Sequence, residues 1–325
     1  MLTKRQALIA FAGAAAGLAV SGAAWAQSYP NKPIRLVVPF PPGGPTDVMA
    51  RLIAQRLSST LGSVILENKA GAGGTIGTKA VAAAEPDGYN LLFGGTSTLA
   101  INPAVYKDLR YDPVTSFAPV AMVSTSPFVL VVHPSVPVHT VDELVRYAKA
   151  NPGKVNFGSA GVGTTPHLAG ELFKSLTGVD VVHVPYKGGG PVLTDLVAGQ
   201  IQMTFELTAV LLPLIRAGKL RALAVATEER NPDLPEVPTM IESGVPGCLV
   251  SSWFGIVGPA GMPLHVIDRL NLEINRGLRS AEIVASLAQL GSQPKIGTAQ
   301  EFATLIATEA QRWRSVAKST AIAVN

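Results

Sequence analysis

From residue 34 onward, short apolar runs alternate with amphipathic helical patterns along most of the chain. The clearest unit occurs twice. The run Ile34–Val38 leads through a glycine-rich turn at 39–47 into a helical pattern, and the run Val155–Phe157 leads through a similar turn at 158–167 into another. Repeated strand–helix alternation is typical of parallel, doubly wound sheets. The sequence therefore predicts an α/β fold.

Four turns place glycines and hydroxyls immediately before helices, at 40–47, 94–98, 158–165 and 187–191. Such a turn directs free backbone N–H groups and the positive end of a helix dipole at an anion. In open α/β sheets, ligands bind beyond the carboxyl ends of the strands, where these turns gather. The turns are also compatible with ordinary strand-to-helix loops, because glycine is common there. A small acid held by backbone amides is the functional alternative.

The amino terminus has the pattern of a secretory signal peptide. Lys4 and Arg5 precede an apolar stretch at 7–20, and Ala24-Trp25-Ala26 forms a cleavage site. We expect residues 1–26 to be removed after about Ala26 and the protein to be exported. An uncleaved anchor is the alternative, although the apolar stretch is shorter than the roughly 20 residues of a membrane span.

The remaining chain of about 300 residues is long enough for two domains. Two extended apolar segments, at 127–133 and 250–257, bracket its middle third. They are candidates for paired strands that cross between two lobes, or for core strands of one large domain. The formal charge of +4 is scattered and aromatic residues are only 6% of the chain, so nucleic-acid binding is not expected.

The patterns of enzymes and metal sites fit poorly. The stretch 158–161 fails the G-x-S-x-G nucleophile pattern because Phe157 stands two residues before Ser159. No two of the five histidines have i, i+4 spacing, and Cys248 is the single cysteine. We therefore expect no metal, no cofactor and no enzymatic activity. An exported hydrolase that uses Ser159 and His167 stays an alternative.

Glu206 directly follows a predicted strand at 201–205. If this side chain faced the ligand, it would repel a second carboxylate and accept a hydrogen bond from a ligand N–H or O–H group. A solvated glutamate in a loop is the alternative.

Several short motifs together resemble the Bug family, the periplasmic solute-binding proteins of tripartite tricarboxylate transporters. They span essentially the whole mature chain, and they include Pro39-Phe40-Pro41-x-Gly43-Gly44-x-x-Asp47, Glu67-Asn68-x-x-Gly71-Ala72-Gly73-Gly74, Pro86-Asp87-Gly88-Tyr89, His183-Val184-Pro185-Tyr186-Lys187-Gly188 and Leu234-Pro235-x-Val237-Pro238-Thr239.

This resemblance implies a type II-like periplasmic binding protein, in which two doubly wound α/β domains joined by crossover strands close on a small organic carboxylate. We expect one domain from 27–127 plus 247–325 and the other from 128–246. The resemblance also implies delivery to a membrane permease with one large and one small subunit, and we expect a monomer. An accessory that presents its ligand to a membrane sensor is the alternative function.

In the family, the loop of the first lobe contacts the ligand partly through water, and backbone and hydroxyl groups of the turn in the second lobe hold a carboxylate. The matching residues here are Phe40, Pro42, Gly43, Gly44, Thr46, Asp47, Ser159, Ala160, Gly163, Thr164 and Thr165, with Thr96, Ser97 and Glu206 as additions. Asp47 is also expected to cap its helix. Pro45 stiffens the first loop, and Glu206 stands where many relatives have aspartate. With Glu206 facing the cleft, we expect preference for a monocarboxylate that carries a donor group, such as an amino acid or a pyridine carboxylate, over citrate.

Overall fold

Two strands, β4 (Phe117–Val132) and β9 (Ser251–Pro259), lie side by side and connect the two halves of the sheet. The computed structural model describes residues 29–319, so the predicted signal peptide at 1–26 lies outside the described residues. The chain divides into two units, residues 1–31 and residues 32–325. Of the first unit only residues 29–31 are described, and the following account concerns the second.

Within residues 29–319, ten strands form one continuous sheet in the order β2-β1-β3-β9-β4-β7-β5-β6, and β8 and β10 also pair with β4. The other strands are β1 (Ile34–Val38), β2 (Val64–Asn68), β3 (Asn90–Gly95), β5 (Asn156–Ser159), β6 (Val182–Pro185), β7 (Met203–Leu207), β8 (Arg221–Val225) and β10 (Gln293–Pro294).

The helices alternate with these strands as the sequence predicts. They are α1 (Pro45–Leu61), α2 (Thr75–Ala82), α3 (Asn102–Val105), α4 (Val141–Ala150), α5 (Thr165–Thr177), α6 (Gly189–Val197), α7 (Thr208–Arg216), α8 (Leu264–Leu278), α9 (Ala281–Gln289) and α10 (Ala299–Ser319). A 3₁₀ turn at Ala72–Gly74 precedes α2, and a π-helical turn at Ser97–Ile101 precedes α3.

The sheet is mixed rather than wholly parallel. Strand β1 is parallel to β2 and β3, and β5 is parallel to β6 and β7. Each antiparallel pair of named strands involves β4 or β9. The parallel arrangement predicted from the sequence thus holds within each half, and the two connecting strands introduce the antiparallel pairs. The result is a two-lobed α/β fold.

Strand β4 is longer than the sequence indicated. It includes the apolar runs 120–123 and 128–132 and the polar stretch Ser124-Thr125-Ser126-Pro127 between them, where a strand pattern would ordinarily break. Both serines are buried and bonded instead: Ser126 shares a hydrogen bond with Ser292, and Ser124 Oγ contacts Met49 Sδ at 3.7 Å. Tertiary partners therefore carry one strand through a polar stretch. Pro127 of β4 is paired with Ser251 of β9 at this point.

Candidate ligand-binding site

The four glycine- and hydroxyl-containing turns line one cavity of about 240 Å³. The turn 40–46 and the segment 95–98 contribute to it from one half of the sheet, and the segments 164–166 and 187–191 contribute from the other. Phe128 of β4, with Ser252 and Phe254 of β9, completes the lining. The tertiary fold thus brings together turns that are far apart in the sequence.

Four helices begin at this cavity. The residues that precede α1, α5, α6 and α7 all line it, and none makes a capping hydrogen bond with its side chain: Gly44, Thr164, Gly188 and Leu207. By contrast, Thr140 and Ser280 cap α4 and α9 with side-chain oxygens. The positive ends of four helix dipoles meet at one cavity, an arrangement that favours a bound anion.

Two charged residues line the cavity within the described part of the chain, Lys187 and Glu206. Lys187 is exposed. Glu206 is only 6% exposed, and its Oε1 accepts a hydrogen bond of 2.9 Å from Leu207 N–H. Burial raises the pKa of Glu206 to about 7, against the smaller, opposite effect of the Leu207 N–H group. Glu206 is therefore a buried residue of β7 and not a solvated loop glutamate.

A second cavity of about 180 Å³ shares Glu206, Leu207, Gly189, Gly190 and the segment 43–45 with the first. The rest of its lining is mostly apolar: Val48, Met49, Leu193, Ala209, Val210, Gln289 and Leu290. Glu206 lies where the two cavities meet.

Eleven of the fourteen residues predicted to bind ligand line the first cavity: Phe40, Pro42, Gly43, Gly44, Thr46, Thr96, Ser97, Ala160, Thr164, Thr165 and Glu206. The other three, Asp47, Ser159 and Gly163, do not line it. Each of these three supports one of the turns that do.

Asp47 was predicted to cap α1, but Gly44 holds the N-cap position. The Asp47 carboxylate lies in the first helical turn and accepts from Gly43 N–H at 2.9 Å, from Arg51 at 2.8 Å and from Asn68 at 2.8 Å. Asn68 also donates to the carbonyl of Phe40 at 3.0 Å. Burial opposes ionisation, but these hydrogen bonds lower the pKa of Asp47. Asp47 therefore fixes the turn 40–47 as an ionised, fully bonded carboxylate.

Ser159 is fully buried, and its Oγ lies 2.6 Å from His183 Nε2. The partner in the hydrolase alternative was His167, which instead accepts from Gly163 N–H through Nδ1 at 3.3 Å. The two imidazoles stack with their centroids 4.1 Å apart. Burial lowers the pKa of His183 to about 3 and that of His167 to about 4, with smaller effects from neighbouring positive charge. Both rings are therefore neutral near pH 7.

The two halves of the fold touch beside the cavity. Tyr106 donates a hydrogen bond to the carbonyl of Val162 at 3.2 Å, and Ser97 Oγ accepts from Thr165 N–H at 3.2 Å. Gly163 fits against the first half with φ of +79°, where a Cβ would lie 2.8 Å from Asn102 Oδ1. The turns from opposite halves are thus in direct contact.

Sequence reasoning missed several lining residues. Lys187 belongs to one of the four turns, so its position was available from the pattern. Phe128, Ser252 and Phe254 lie on the connecting strands, where no local motif distinguishes a cavity-lining residue from a core residue. Within residues 29–319, no three His, Cys, Asp or Glu side chains are grouped to hold a metal ion. None of the helices described there is long and apolar enough to cross a membrane.

Two α/β lobes joined by paired strands, with a cavity suited to an anion where they meet, define the class of periplasmic binding proteins. Residues 49–322 match the family described as tripartite tricarboxylate transporter family receptor. The chain belongs to this family, which consists of solute receptors. It is 40% identical to Protein BugT of Bordetella pertussis over 321 residues, 98% of each chain.

Solved structures agree. A Rhodopseudomonas palustris protein with adipate has a TM-score of 0.86 and 40% identity, with 91% of this chain and 99% of that chain covered. The periplasmic binding protein BugD has a TM-score of 0.85 and 36% identity, with 91% of this chain and 99% of that chain covered. MatC from Rhodopseudomonas palustris with bound malate has a TM-score of 0.84 and 34% identity, at 89% and 99% coverage.

Proposed function

We propose that this protein is a receptor that captures a small organic carboxylate between its two lobes. The observation that carries the proposal is the meeting of four helix N-termini at one cavity, where no N-cap residue caps its own helix with its side chain. Hydrogen bonds to a charged group contribute about 1.5–3 kcal/mol each, so several backbone amides can hold a carboxylate without an arginine. The adipate and malate bound to two relatives support the same ligand class.

The ligand contacts are proposed as follows. The carboxylate lies against Ala160, Thr164 and Thr165, and the remainder of the ligand faces the turn 40–46, Thr96, Ser97 and Glu206. Asp47, Ser159 and Gly163 act indirectly, by fixing the two turns. The preferred ligand is a monocarboxylate with a donor group for Glu206, such as an amino acid or a pyridine carboxylate.

The lobes are proposed to be 27–127 plus 247–325 and 128–246, hinged at the paired segments around Pro127 and Ser251. A ligand drives closure only if it binds the closed form more tightly than the open one. The contacts of Tyr106 with Val162 and of Ser97 with Thr165 belong to the closed form in this proposal.

We further propose that the protein is exported after removal of residues 1–26, acts as a monomer in the periplasm, and delivers its ligand to a permease of one large and one small subunit. It is not an enzyme in this proposal. Ser159 lies outside the cavity, and a histidine with a pKa of about 3 is too weak a base to activate it near pH 7.

A thermal-shift screen tests the ligand class. A ligand at 100 times its Kd stabilises the folded state by about 2.7 kcal/mol. We expect the melting temperature to rise with alanine, nicotinate or a related monocarboxylate more than with citrate. It should stay unchanged with nicotinamide, the uncharged match of nicotinate. A rise with citrate alone would contradict the predicted preference. No rise with any carboxylate would contradict the receptor itself.

A further inference from the structure

Glu206 is a buried acid without a cationic partner at the centre of the proposed site. Its Oε1 accepts from the Leu207 N–H group. Its Oε2 lies toward Gly189, where an added Cβ would be 3.6 Å from this oxygen. Gly189 begins α6 and lines both cavities. One carboxyl oxygen therefore remains available to a ligand that extends along the cavities.

Charged groups on the elements around β7 contact other residues, apart from Lys187, which lines the first cavity and is exposed. Strands β4 and β5, which pair with β7, contain no ionisable side chain. On α5, which packs against β7, His167 accepts from Gly163 N–H, and Glu171 pairs with Lys174 at 3.1 Å. On α1 the charged residues are Asp47, which pairs with Arg51, and Arg56, which donates to Ser59. Asp195 of α6 accepts from Tyr186, and Arg216 at the end of α7 pairs with Asp233. Lys187, which precedes α6, is exposed.

An isolated carboxyl in such a place is stable in its neutral form, because burial penalises the charge. A neutral carboxyl donates one hydrogen bond, whereas an ionised one only accepts. The same side chain thus presents opposite chemistry to a ligand on either side of neutral pH, consistent with its pKa of about 7.

We propose that Glu206 sets the ligand class by its proton: the protonated side chain donates to the second carboxylate of a dicarboxylate, and the ionised side chain accepts from an N–H or O–H group of a monocarboxylate. This inference rests on the proposed receptor function and refines it. Binding of a dicarboxylate is then linked to the uptake of one proton by Glu206, and binding of a donor-bearing acid is not.

The sign of the effect follows from linkage. A ligand that requires the protonated form binds with constant affinity below the pKa and loses about tenfold in affinity per pH unit above it. A ligand that donates to the ionised form gains affinity as the pH rises toward the pKa. The carboxyls of a simple dicarboxylate, with pKa values of about 4.3, stay ionised throughout the range of interest.

The experiment is a calorimetric titration between about pH 6 and about pH 9 on the whole mature protein. The ligands are the dicarboxylates adipate and malate and the amino acid alanine, a monocarboxylate whose ammonium group donates hydrogen bonds. Between about pH 7 and about pH 9 we expect the affinity for the tighter-binding dicarboxylate to fall by about 50-fold in the native protein, because half of Glu206 is already ionised at pH 7. In Glu206→Gln, which always presents a donor, the same affinity should change by less than about twofold. In Glu282→Gln, an exposed residue outside the cavities, the native pH dependence should persist.

Proton uptake gives an independent measure. Titrations near pH 8 in two buffers with different ionisation enthalpies should show uptake of close to one proton per dicarboxylate in the native protein and none in Glu206→Gln. A dicarboxylate affinity that does not vary with pH, or one that varies equally in Glu206→Gln, would overturn the inference. So would binding of alanine with no binding of either dicarboxylate near pH 6. Failure of every acid at every pH would instead overturn the receptor function.

Discussion

Ser159 Oγ lies 2.6 Å from His183 Nε2 and 3.0 Å from the carbonyl oxygen of Gly161. A hydroxyl has one proton, so Ser159 can donate to only one of these two acceptors. When it donates to Gly161, the hydroxyl oxygen accepts from His183 and from the Gly161 N–H group, which is 3.2 Å away. The pair is therefore a buried support for the turn 158–165, since it ties the end of β5 to β6.

Replacement of Ser159 by alanine tests this support. The change leaves His183 and the Gly161 backbone without a buried partner, which costs about 1–3 kcal/mol of unfolding free energy. Urea denaturation should show this loss. Ser315→Ala, at an exposed position on α10, should change the stability by less than about 0.5 kcal/mol. Equal stability of Ser159→Ala and the native protein would refute the supporting role.

The stacked histidines predict sensitivity to acid. The pKa values of His167 and His183 are both lowered from the ordinary 6.5. The two neutral rings therefore contribute fully to the free energy of unfolding above about pH 6.5, and this contribution is lost as the pH falls toward 4 and then 3. A pKa of about 4 for His167 corresponds to about 3 kcal/mol between these limits. His183→Gln removes one of the two protonations, so its unfolding free energy should fall less steeply with acidification.

Urea unfolding at intervals between about pH 4 and about pH 7 measures that slope. His139→Gln, at an exposed position away from the pair, serves as the control and should keep the native slope. A slope in His183→Gln as steep as that of the native protein would show that the pair does not set the acid sensitivity.

The contribution of Glu206 to folding stability changes with pH in the opposite direction. Its pKa is raised from 4.5 to about 7, so its contribution to stability is complete below about pH 4.5 and is lost as the pH rises through 7. Glu206→Gln should therefore be more stable than the native protein near pH 8, by up to about 3 kcal/mol, and equally stable near pH 4. Thermal unfolding of both proteins without ligand measures the difference, and a destabilised variant near pH 8 would contradict the burial argument.

We expect replacement of Gly163 by alanine to affect ligand binding more than folding stability. Alanine at a positive φ costs about 1–2 kcal/mol, and Gly153 shares this conformation with φ of +70° and open space around it. At Gly163, a Cβ would also lie 2.8 Å from Asn102 Oδ1 and from Tyr106 Cε2. Because that clash lies between the halves, Gly163→Ala should lose more than about tenfold in ligand affinity, or about 1.4 kcal/mol.

The matched variant Gly153→Ala should show a similar loss of stability with unchanged affinity. The two proteins can be compared by calorimetry with the acid that gives the largest thermal shift. Equal affinity of the two variants would show that the contact beside Gly163 has no part in closure.

Local signals in the sequence predicted much of the fold. Thr140 and Thr298 directly precede α4 and α10, and Glu143 and Glu301 donate their N–H groups to the threonine hydroxyls. These bonds join residues three positions apart, so the sequence alone contains both partners. The alternation of strands and helices is equally local, and it was sufficient for the α/β assignment.

The errors arose where tertiary contacts outweigh local signals. Thr239 and Glu242 make the bonds of a capping box, a motif that usually begins a helix, but the segment that follows is a turn, and Gly244 has φ of +82°. Pro103, a residue that usually ends a helix, instead lies in the first turn of α3, where proline is tolerated. The pairing of Ser159 with His183 depends on the neighbouring positions of β5 and β6, which no spacing in the sequence reveals.

The hydrogen bond from Tyr106 to the carbonyl of Val162 joins the two halves of the fold rather than two parts of one half, so we expect it to stabilise the closed form. Its loss in Tyr106→Phe should cost about 0.5–1.5 kcal/mol of the closed form alone. Ligand affinity should therefore fall by about twofold to tenfold, mainly through faster dissociation. Tyr186→Phe is the control, since that hydroxyl donates to Asp195 within the same half. Stopped-flow dissociation measured on both variants separates the two cases: an equal rate in Tyr106→Phe and the native protein would remove this contact from the closed state.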